Sequence, residues 1–381
     1  MTIQLKGRID SNNAPQIEKM VLQQLEGQDG VPVEIDASGL EYISSAGLRV
    51  LLRVRKSHPD MTISGVNSEV YEILDMTGFT EMMTVKKAYR VVSVDGCEVI
   101  GEGQNGKVYR IDRDNVVKTY KNADALAEIQ HEREVARLAL VLGIPTAISY
   151  DVVRVGDSYG SVFELLDSRA FAKILAEEPE RMDWCVREYV DMLKKIHGTV
   201  VPAGKLPRIK DTVMAWVGGV KPLLPEKYGE QLERMIADIP ERDTMLHGDY
   251  HTKNIVLAGD EVLLIDMDTL SVGHPIFELA QMYNCYIGFG EYDPAVVAQF
   301  QGYSAATARK FWKQTLRAYL GTDDEEVITD AENKIRCVAY TRLIDWNRRH
   351  KNPGTEADRA TAALWTRELL GLLERVDTLV F

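Results

Sequence analysis

The run His247-Gly248-Asp249-Tyr250-His251-Thr252-Lys253-Asn254 places a carboxylate and an amide five residues apart, and Asp266 follows Asn254 by twelve. Phosphoryl transfer needs a set of this kind: an acid to orient a hydroxyl, and oxygen ligands for magnesium on nucleotide phosphates. Ile255-Val256-Leu257 and Val262-Leu263-Leu264-Ile265 read as two short strands, with Gly259-Asp260 at the bend between them, a hairpin signal. Asp249 and Asn254 are then expected at the start of the hairpin and Asp266 at its end. Taken singly, each aspartate reads as an ordinary turn residue. The ordered set points to chemistry.

A second constellation lies upstream. Gly101-Glu102-Gly103-Gln104-Asn105-Gly106 is a Gly-x-Gly-x-x-Gly loop between two apolar, β-prone runs. Glycines there let backbone amides approach phosphate oxygens. A dinucleotide-binding loop opens a helix, whereas Val108 to Ile111 reads as a returning strand. Asn115 to Tyr120 gives a further strand that carries Lys118 among apolar neighbours. In kinases such a lysine holds the α- and β-phosphates and is itself held by a glutamate on the next helix. That helix is expected over Ala123 to Leu142, ending at Gly143 with Pro145 beyond. It offers Glu128, Glu132 and Glu134. Glu134 is the expected partner of Lys118, because it begins the apolar stretch Val135-Ala136-Arg137-Leu138, and Glu132 is the reserve.

On these motifs the region from about residue 91 to 381 resembles the protein-kinase-like phosphotransferases that include aminoglycoside and choline kinases. The His-Gly-Asp-x-His-x-x-Asn pattern is specific to that branch; protein kinases usually carry Arg before the aspartate and Lys two residues after it. The resemblance implies an α+β bilobal fold, with an N-lobe over about 91–166 and a C-lobe over about 167–381. It implies ATP and Mg2+ as cofactors, Asp249 as catalytic base, Asn254 and Asp266 as magnesium ligands, and Lys118 on the phosphates beneath Gly101, Gly103 and Gly106. Val162 to Leu166 resembles the hinge, whose backbone at Glu164 and Leu166 would hold adenine. His197, in Leu193-Lys194-Lys195-Ile196-His197, matches a histidine that is usually structural. The family often shows Gly-Asp-Pro-x-x-Asp-Leu-Ala after the second metal ligand, where this chain has Gly273-His274-Pro275-Ile276-Phe277-Glu278-Leu279-Ala280. The glycine loop is also closer to that of protein kinases than is usual in this branch.

Residues 1–90 read as a different object. A strand at Val31 to Asp36, a helix from Leu48, a strand at Met61 to Ser64 and a helix from Ser68 to Met76 alternate, which argues a small α/β layer fold. Ser44 or Ser45 is placed to cap the first of these helices. Asp36 to Leu48, with Leu74-Asp75-Met76-Thr77-Gly78-Phe79, resembles a STAS domain, the fold of bacterial anti-sigma-factor antagonists. That family's signature is Asp-Ser-Ser/Thr-Gly, with phosphorylation of the serine after the aspartate. Here Ser44 stands at the aspartate position, Ser45 at the acceptor and Ala46 at the third. The resemblance therefore makes Ser45 a candidate phospho-acceptor and the module a regulatory or docking unit for a protein partner. A phosphate there would meet the positive end of a helix dipole.

Composition is consistent with two domains, 1–90 and 91–381. The length of 381 residues exceeds what one core normally supports. Of the net charge of −13, −3 falls in residues 1–88 and −10 in the rest, a poor balance for nonspecific nucleic-acid binding. The acidic run Asp323-Asp324-Glu325-Glu326 suits a helix start, and Arg348-Arg349-His350-Lys351 reads as a solvated helix end. Cys97, Cys185, Cys285 and Cys337 are scattered with no Cys-x-x-Cys pair, which fits reduced thiols in a cytoplasmic protein. No run approaches the apolar length of a membrane span. The expected activity is an ATP- and Mg-dependent transfer of the γ-phosphate to a hydroxyl of a small molecule such as an aminoglycoside, amino alcohol or sugar. The long helical stretch 167–246, with Trp184 and Trp216, favours such a pocket. The alternatives are a protein serine kinase acting on a STAS serine and a nucleotide-binding signalling scaffold.

Overall fold

A computed structural model of the chain describes residues 1–28, 31–102, 106–122, 125–351 and 354–381. The chain opens with β1 (Thr2–Ile9), α1 (Ala14–Leu25), β2 (Glu34–Ile43), α2 (Ser45–Ser57), β3 (Thr62–Val66), α3 (Ser68–Met76), α4 (Phe79–Met82) and β4 (Val85–Lys87). These strands form a parallel sheet in the order β1-β2-β3-β4. Alternation drives it: Ile3, Leu5 and Ile9 of β1 and Ile35, Ala37, Leu40 and Ile43 of β2 are buried beneath Val50, Leu51 and Val54 of α2. Gly47 has no room for a side chain, since a Cβ would lie 2.6 Å from Ile43 and 2.8 Å from Ile9. Ser44 caps α2, its Oγ accepting the Ala46 N–H at 3.2 Å. Ser45 is the first helical residue and is exposed.

A six-stranded sheet follows, in the order β5-β9-β10-β8-β7-β6, from β5 (Arg90–Val91), β6 (Glu98–Glu102), β7 (Gly106–Arg110), β8 (Asn115–Tyr120), β9 (Asp151–Val155) and β10 (Ser158–Glu164). Helix α5 (Leu126–Val141) is inserted after β8. Gly106 meets a steric constraint in addition to any loop role. A Cβ on it would stand 1.7 Å from the Thr119 carbonyl oxygen, so only glycine permits this backbone approach. Gly101 lies on β6, and Gly103 falls outside the described residues.

The remainder is mainly helical: β11 (Ser168–Ala170), α6 (Phe171–Glu177), α7 (Met182–Gly198), α8 (Ile209–Val220), α9 (Glu226–Ala237), β12 (Met245–Leu246), β13 (Ile255–Ala258), β14 (Glu261–Leu264), β15 (Ser271–Val272), α10 (Ile276–Tyr286), α11 (Pro294–Gln301), α12 (Ala305–Leu320), α13 (Glu325–His350) and α14 (Glu356–Leu373). Helix α10 is buried along almost its whole length and packs against α12 and α13 within one apolar core. Asp324 caps α13 by accepting the Glu326 and Val327 N–H groups. The acidic run thus serves the helix start, as its position predicts. Among the described residues no helix is long and apolar enough to cross a membrane.

The chain divides into two compact units, Met1–Lys107 with Thr119–Ala123 and Asp151–Ser161, and Val108–Lys118 with Asp124–Tyr150 and Val162–Phe381. This is not a single cut at residue 90, because β7, β8 and β10 each carry residues of both.

Candidate active site

The short strand β12 delivers the chain into His247, and the turn that follows is held by one carboxylate. Glu278 of α10 is fully buried; its two oxygens accept the N–H of His247 at 2.5 Å and of Gly248 at 2.9 Å. Thr269 Oγ1 donates to the His247 carbonyl at 2.8 Å. Gly248 sits at φ +83°, and a Cβ there would lie 2.3 Å from the Thr269 carbonyl oxygen, so both conformation and space require glycine. Beneath the loop, the hydroxyls of Tyr189 and Tyr250 each donate to the other's backbone carbonyl, at 3.0 and 2.7 Å. Tyr286 completes the support: its hydroxyl donates to Tyr189 and accepts the Thr252 N–H.

Asp249 emerges from this frame with its side chain 40% exposed, open to an incoming hydroxyl. Asn254 Nδ2 donates to both the backbone carbonyl and Oδ2 of Asp249, at 3.0 and 3.2 Å. His251 Nδ1 accepts the Lys253 N–H, so Nε2 carries the proton and faces Asp249 Oδ2 at 3.3 Å. Burial pushes the Asp249 carboxyl up, but the His251 hydrogen bond, the charges of His251 and His247 and the Arg342 guanidinium outweigh it and hold it at about 2. Burial keeps His247 itself neutral-leaning, its imidazole held below the ordinary range.

A second group of side chains is organised by Lys118. Its Nζ donates to Glu132 Oε1 and Oε2 at 2.9 and 3.1 Å and to Asp266 Oδ1 at 3.0 Å. The expectation that Glu134 is the partner is corrected: Glu132 is buried on Lys118, whereas Glu134 is exposed on another face of α5. The reason is helical phase. Glu132 shares the inward stripe of Ile129, Val135 and Ala136, and Glu134 does not.

Hairpin β13–β14 brings Asn254 and Asp266 to one end, with Ile255 opposite Leu264 and the Ile265 N–H on the Asn254 carbonyl at 3.0 Å. Asp266 has φ +63°, the only positive φ of a non-glycine among the described residues, a strained state typical of functional positions. In the hinge-like segment the Leu165 N–H donates to the Asp114 carbonyl at 2.7 Å, so it is committed within the protein. Glu164 is exposed at the end of β10 and Leu166 is half-buried just beyond.

Sequence reasoning missed two groups. Glu278 was quoted only as part of a family pattern, although an acid in that pattern is its signal. Asp268 was not considered. It lies two residues after Asp266, and burial together with the Asp266 charge pushes its carboxyl up to about 6. His197 behaves as a structural residue, its Nδ1 paired with the Tyr319 hydroxyl at 2.8 Å. His274 stands where relatives often have aspartate, and its Nδ1 accepts the Ile276 N–H at 3.2 Å. It therefore supplies the acceptor at the start of α10 that an aspartate would supply.

The residues present fit a divalent cation. Asp266, Glu132, Asp249 and Lys118 all act electrostatically on Asp268, whose carboxyl is raised first by burial and then by the Asp266 charge. Asn254 uses its Nδ2 on Asp249, which leaves the amide oxygen as the atom for a further ligand. Among the described residues no three acidic, histidine or cysteine groups converge tightly enough to hold a metal alone.

A clamped lysine, an ionised aspartate on a rigid loop and an amide–carboxylate pair at a hairpin end define a phosphotransferase. The chain belongs to the phosphotransferase enzyme family, whose model matches residues 96–313, and carries a STAS domain over residues 1–92. The STAS part is 33% identical over 85 residues to the putative anti-sigma factor antagonist BtrV of Bordetella bronchiseptica, covering 21% of this chain and 72% of that protein. It is 24% identical over 84 residues to the anti-sigma-B factor antagonist of Listeria monocytogenes, covering 21% and 73%. Among solved structures, the fold is similar to ADP-bound aminoglycoside phosphotransferase APH(2'')-Ib, with TM-score 0.51, 14% identity, and 80% of this chain and 99% of that one covered. It is also similar to a thermostable aminoglycoside phosphotransferase APH(4)-Ia in ternary complex with ADP and hygromycin B, with TM-score 0.51, 13% identity, and 74% and 94% covered.

Two outcomes follow from this geometry. Glu278→Gln presents an NH2 to one of two backbone N–H groups, so unfolding in urea should show a loss of about 2–3 kcal/mol, with kcat falling alongside. His274 is held at about 4, first by burial and then by Arg242 and His197. The unfolded chain therefore binds its proton more readily, and stability should fall as pH drops from about 6.5 towards 4. His274→Asn keeps an acceptor and does not titrate. Its melting temperature should lose that part of the acid dependence, an effect on the order of 3 kcal/mol.

Proposed function

We propose that the chain transfers the γ-phosphate of ATP, with magnesium, to a hydroxyl of a small molecule in the cytoplasm, and that residues 1–90 form its regulatory module. The observation that carries this reading is the joined set: Lys118 bonded to Glu132 and Asp266, and Asp249 bonded to Asn254 and His251. A chain used only as a scaffold has no need of all these groups in working geometry.

In this reading Lys118 binds the α- and β-phosphates, with Gly101, Gly103 and Gly106 as the phosphate-covering loop and the Glu164 and Leu166 backbone for adenine. Asn254 and Asp266 would hold magnesium, which when bound neutralises charge on the phosphates. Asp249, ionised at any neutral pH, accepts a hydrogen bond from the acceptor hydroxyl and aims its oxygen at the γ-phosphorus. His251 and Asn254 fix the carboxylate so that one oxygen remains for the hydroxyl.

The test is kinetic and calorimetric. Asp249→Asn should lower kcat by at least about a thousandfold with ATP affinity little changed, because its contact is made chiefly in the transition state. Asp266→Ala should weaken magnesium-dependent nucleotide binding. Glu132→Ala should depress activity about 10- to 100-fold, and Glu134→Ala should not. Unaltered magnesium–ATP binding by Asp266→Ala would remove the metal assignment.

A second reading has one observation in its favour: Ser45 is exposed at the first turn of α2, where a phosphate would meet helix N–H groups. The protein would then phosphorylate a STAS serine, on this chain or another. Incubation with labelled ATP and peptide mapping should place label on Ser45 under this reading. A blank Ser45 with turnover of a small molecule leaves the first reading alone.

A further inference from the structure

Helix α11 lies at the surface without a charge. Its residues, Pro294 to Gln301, include no Asp, Glu, Lys or Arg, although the solvated face of a helix normally carries them. Val297 and Gln301 face inward and are buried, while Tyr292 just ahead of the helix, Val296 and Phe300 are 50, 43 and 40% exposed. These three recur every four residues, so they form one apolar stripe about 12 Å long.

The stripe ends at the loop that carries Asp249. Thr252 Oγ1 donates to Gln301 Oε1 at 2.9 Å and lies 3.0 Å from the Tyr303 hydroxyl, and Gln301 Nε2 donates to the Cys285 carbonyl at 3.2 Å. These contacts fix the C-terminal end of α11 against the loop. Beside them the Phe300 ring meets the His251 imidazole edge-on, with centroids 5.0 Å apart, and His251 Nε2 lies 3.3 Å from Asp249 Oδ2. The loop buries Tyr250, His251, Thr252 and Asn254 and leaves the side chains of Asp249 and Lys253 open to solvent. The Lys253 N–H is held by His251 Nδ1, and the Lys253 ammonium rests over the Phe300 ring, 5.1 Å from its centre.

An exposed lysine needs no partner, and apolar residues scattered singly over a surface need no explanation. Here a cation and a continuous apolar stripe meet at the residue that orients Asp249. A ligand that covers the stripe withdraws apolar area from water. Its end over Phe300 then meets the Lys253 ammonium on the His251 side of Asp249. A polycation gains little from such a track and is repelled by that ammonium.

We propose that the acceptor is amphiphilic: its apolar part lies along Tyr292, Val296 and Phe300, and its head carries the reacting hydroxyl and an anionic group that pairs with Lys253. This rests on the small-molecule reading above and narrows its acceptor class. The hydroxyl oxygen of the head bonds to the γ-phosphorus as the bond to the β-phosphate oxygen breaks, ADP leaves, and the hydroxyl proton passes to Asp249. Lys253 and the stripe take no part in that exchange. They determine which molecule reaches Asp249.

The experiment uses the full chain with magnesium–ATP and matched acceptors: 3-hydroxyalkanoates of rising chain length and their neutral amides, alkylglycerol phosphates and the parent alkylglycerols. Free sugars, amino alcohols and an aminoglycoside serve as polar references. ADP release and phosphorylated product are both measured. KM should fall roughly two- to fourfold for each added methylene and level off once the tail spans the stripe. The anionic member of each pair should have a KM about fivefold below the neutral one, with the carboxylate and phosphate arms showing which anion is used. Val296→Asp should abolish the gain with tail length and leave turnover of the shortest acceptor unchanged. Lys253→Gln should remove the preference for the anion and keep the tail effect. Melting curves confirm that both variants fold, and the acceptor series tests the unaltered protein independently. Turnover of the polar references with no gain from a tail or an anion, or losses of equal size on all acceptors in Val296→Asp, would overturn the inference and leave the small-molecule kinase standing. So would turnover of a polar reference with none of any amphiphile. Label on Ser45 with no small molecule turned over would overturn both.

Discussion

Glu278 is a buried carboxylate whose counter-charge is backbone. Its oxygens face the His247 and Gly248 N–H groups, and His197 Nε2 lies 3.8 Å from Oε2. A charge in that environment is tolerable only while both hydrogen bonds are made. The turn that carries Asp249 therefore has one low-energy geometry, and the other contacts build on it. Thr269 reaches the His247 carbonyl, the tyrosine cluster supports Tyr250 and Thr252, and Asn254 closes back on Asp249. Rigidity at Asp249 is inherited from α10, an almost wholly buried helix. The precise placement of Asp249 is a packing property before it is a chemical one.

The charges around Asp249 divide by direction. Towards Lys118 the site holds more carboxylate than cation, and burial first, then the Asp266 charge, push the Asp268 carboxyl up to about 6. Such a surplus is unfavourable in the isolated chain and would be relieved by a divalent ion. Asp249 in turn feels the His251 hydrogen bond, the histidine charges and the Arg342 guanidinium, which together outweigh its burial. The overall charge of −13 hides this division.

The fold was legible where spacing and periodicity carried it. The β13–β14 hairpin, the strand bearing Lys118, and the alternating strands and helices of residues 1–90 all follow from patterns of two and 3.6. The placement of Asp249, Asn254 and Asp266 about one hairpin follows from loop length. What failed was phase and distance. Choosing Glu134 weighed the start of an apolar run above the stripe of Ile129, Glu132 and Val135–Ala136, which was present in the sequence and identifies Glu132 as inward-facing. Arg342 could not be read at all. It lies in a 26-residue helix with charges on several faces, and its partner Trp216 is 126 positions away. Its electrostatic effect on Asp249 is visible only once the neighbours are in place. The substitution of His274 for an expected aspartate looked like a departure, but the interaction with the Ile276 N–H is conserved by a different acceptor.

Gly248 fills the position where protein kinases usually carry arginine. With φ +83° and the Thr269 carbonyl 2.3 Å from any Cβ, the step from glycine to arginine closes off before charge is considered. Accepting a side chain would require Thr269 to retreat, and Thr269 is what ties down the His247 carbonyl. Positions 248 and 269 are in direct contact, so substitutions there are expected to be non-additive: what residue 248 can be is decided by where the residue 269 carbonyl sits, not by the demands of chemistry at Asp249.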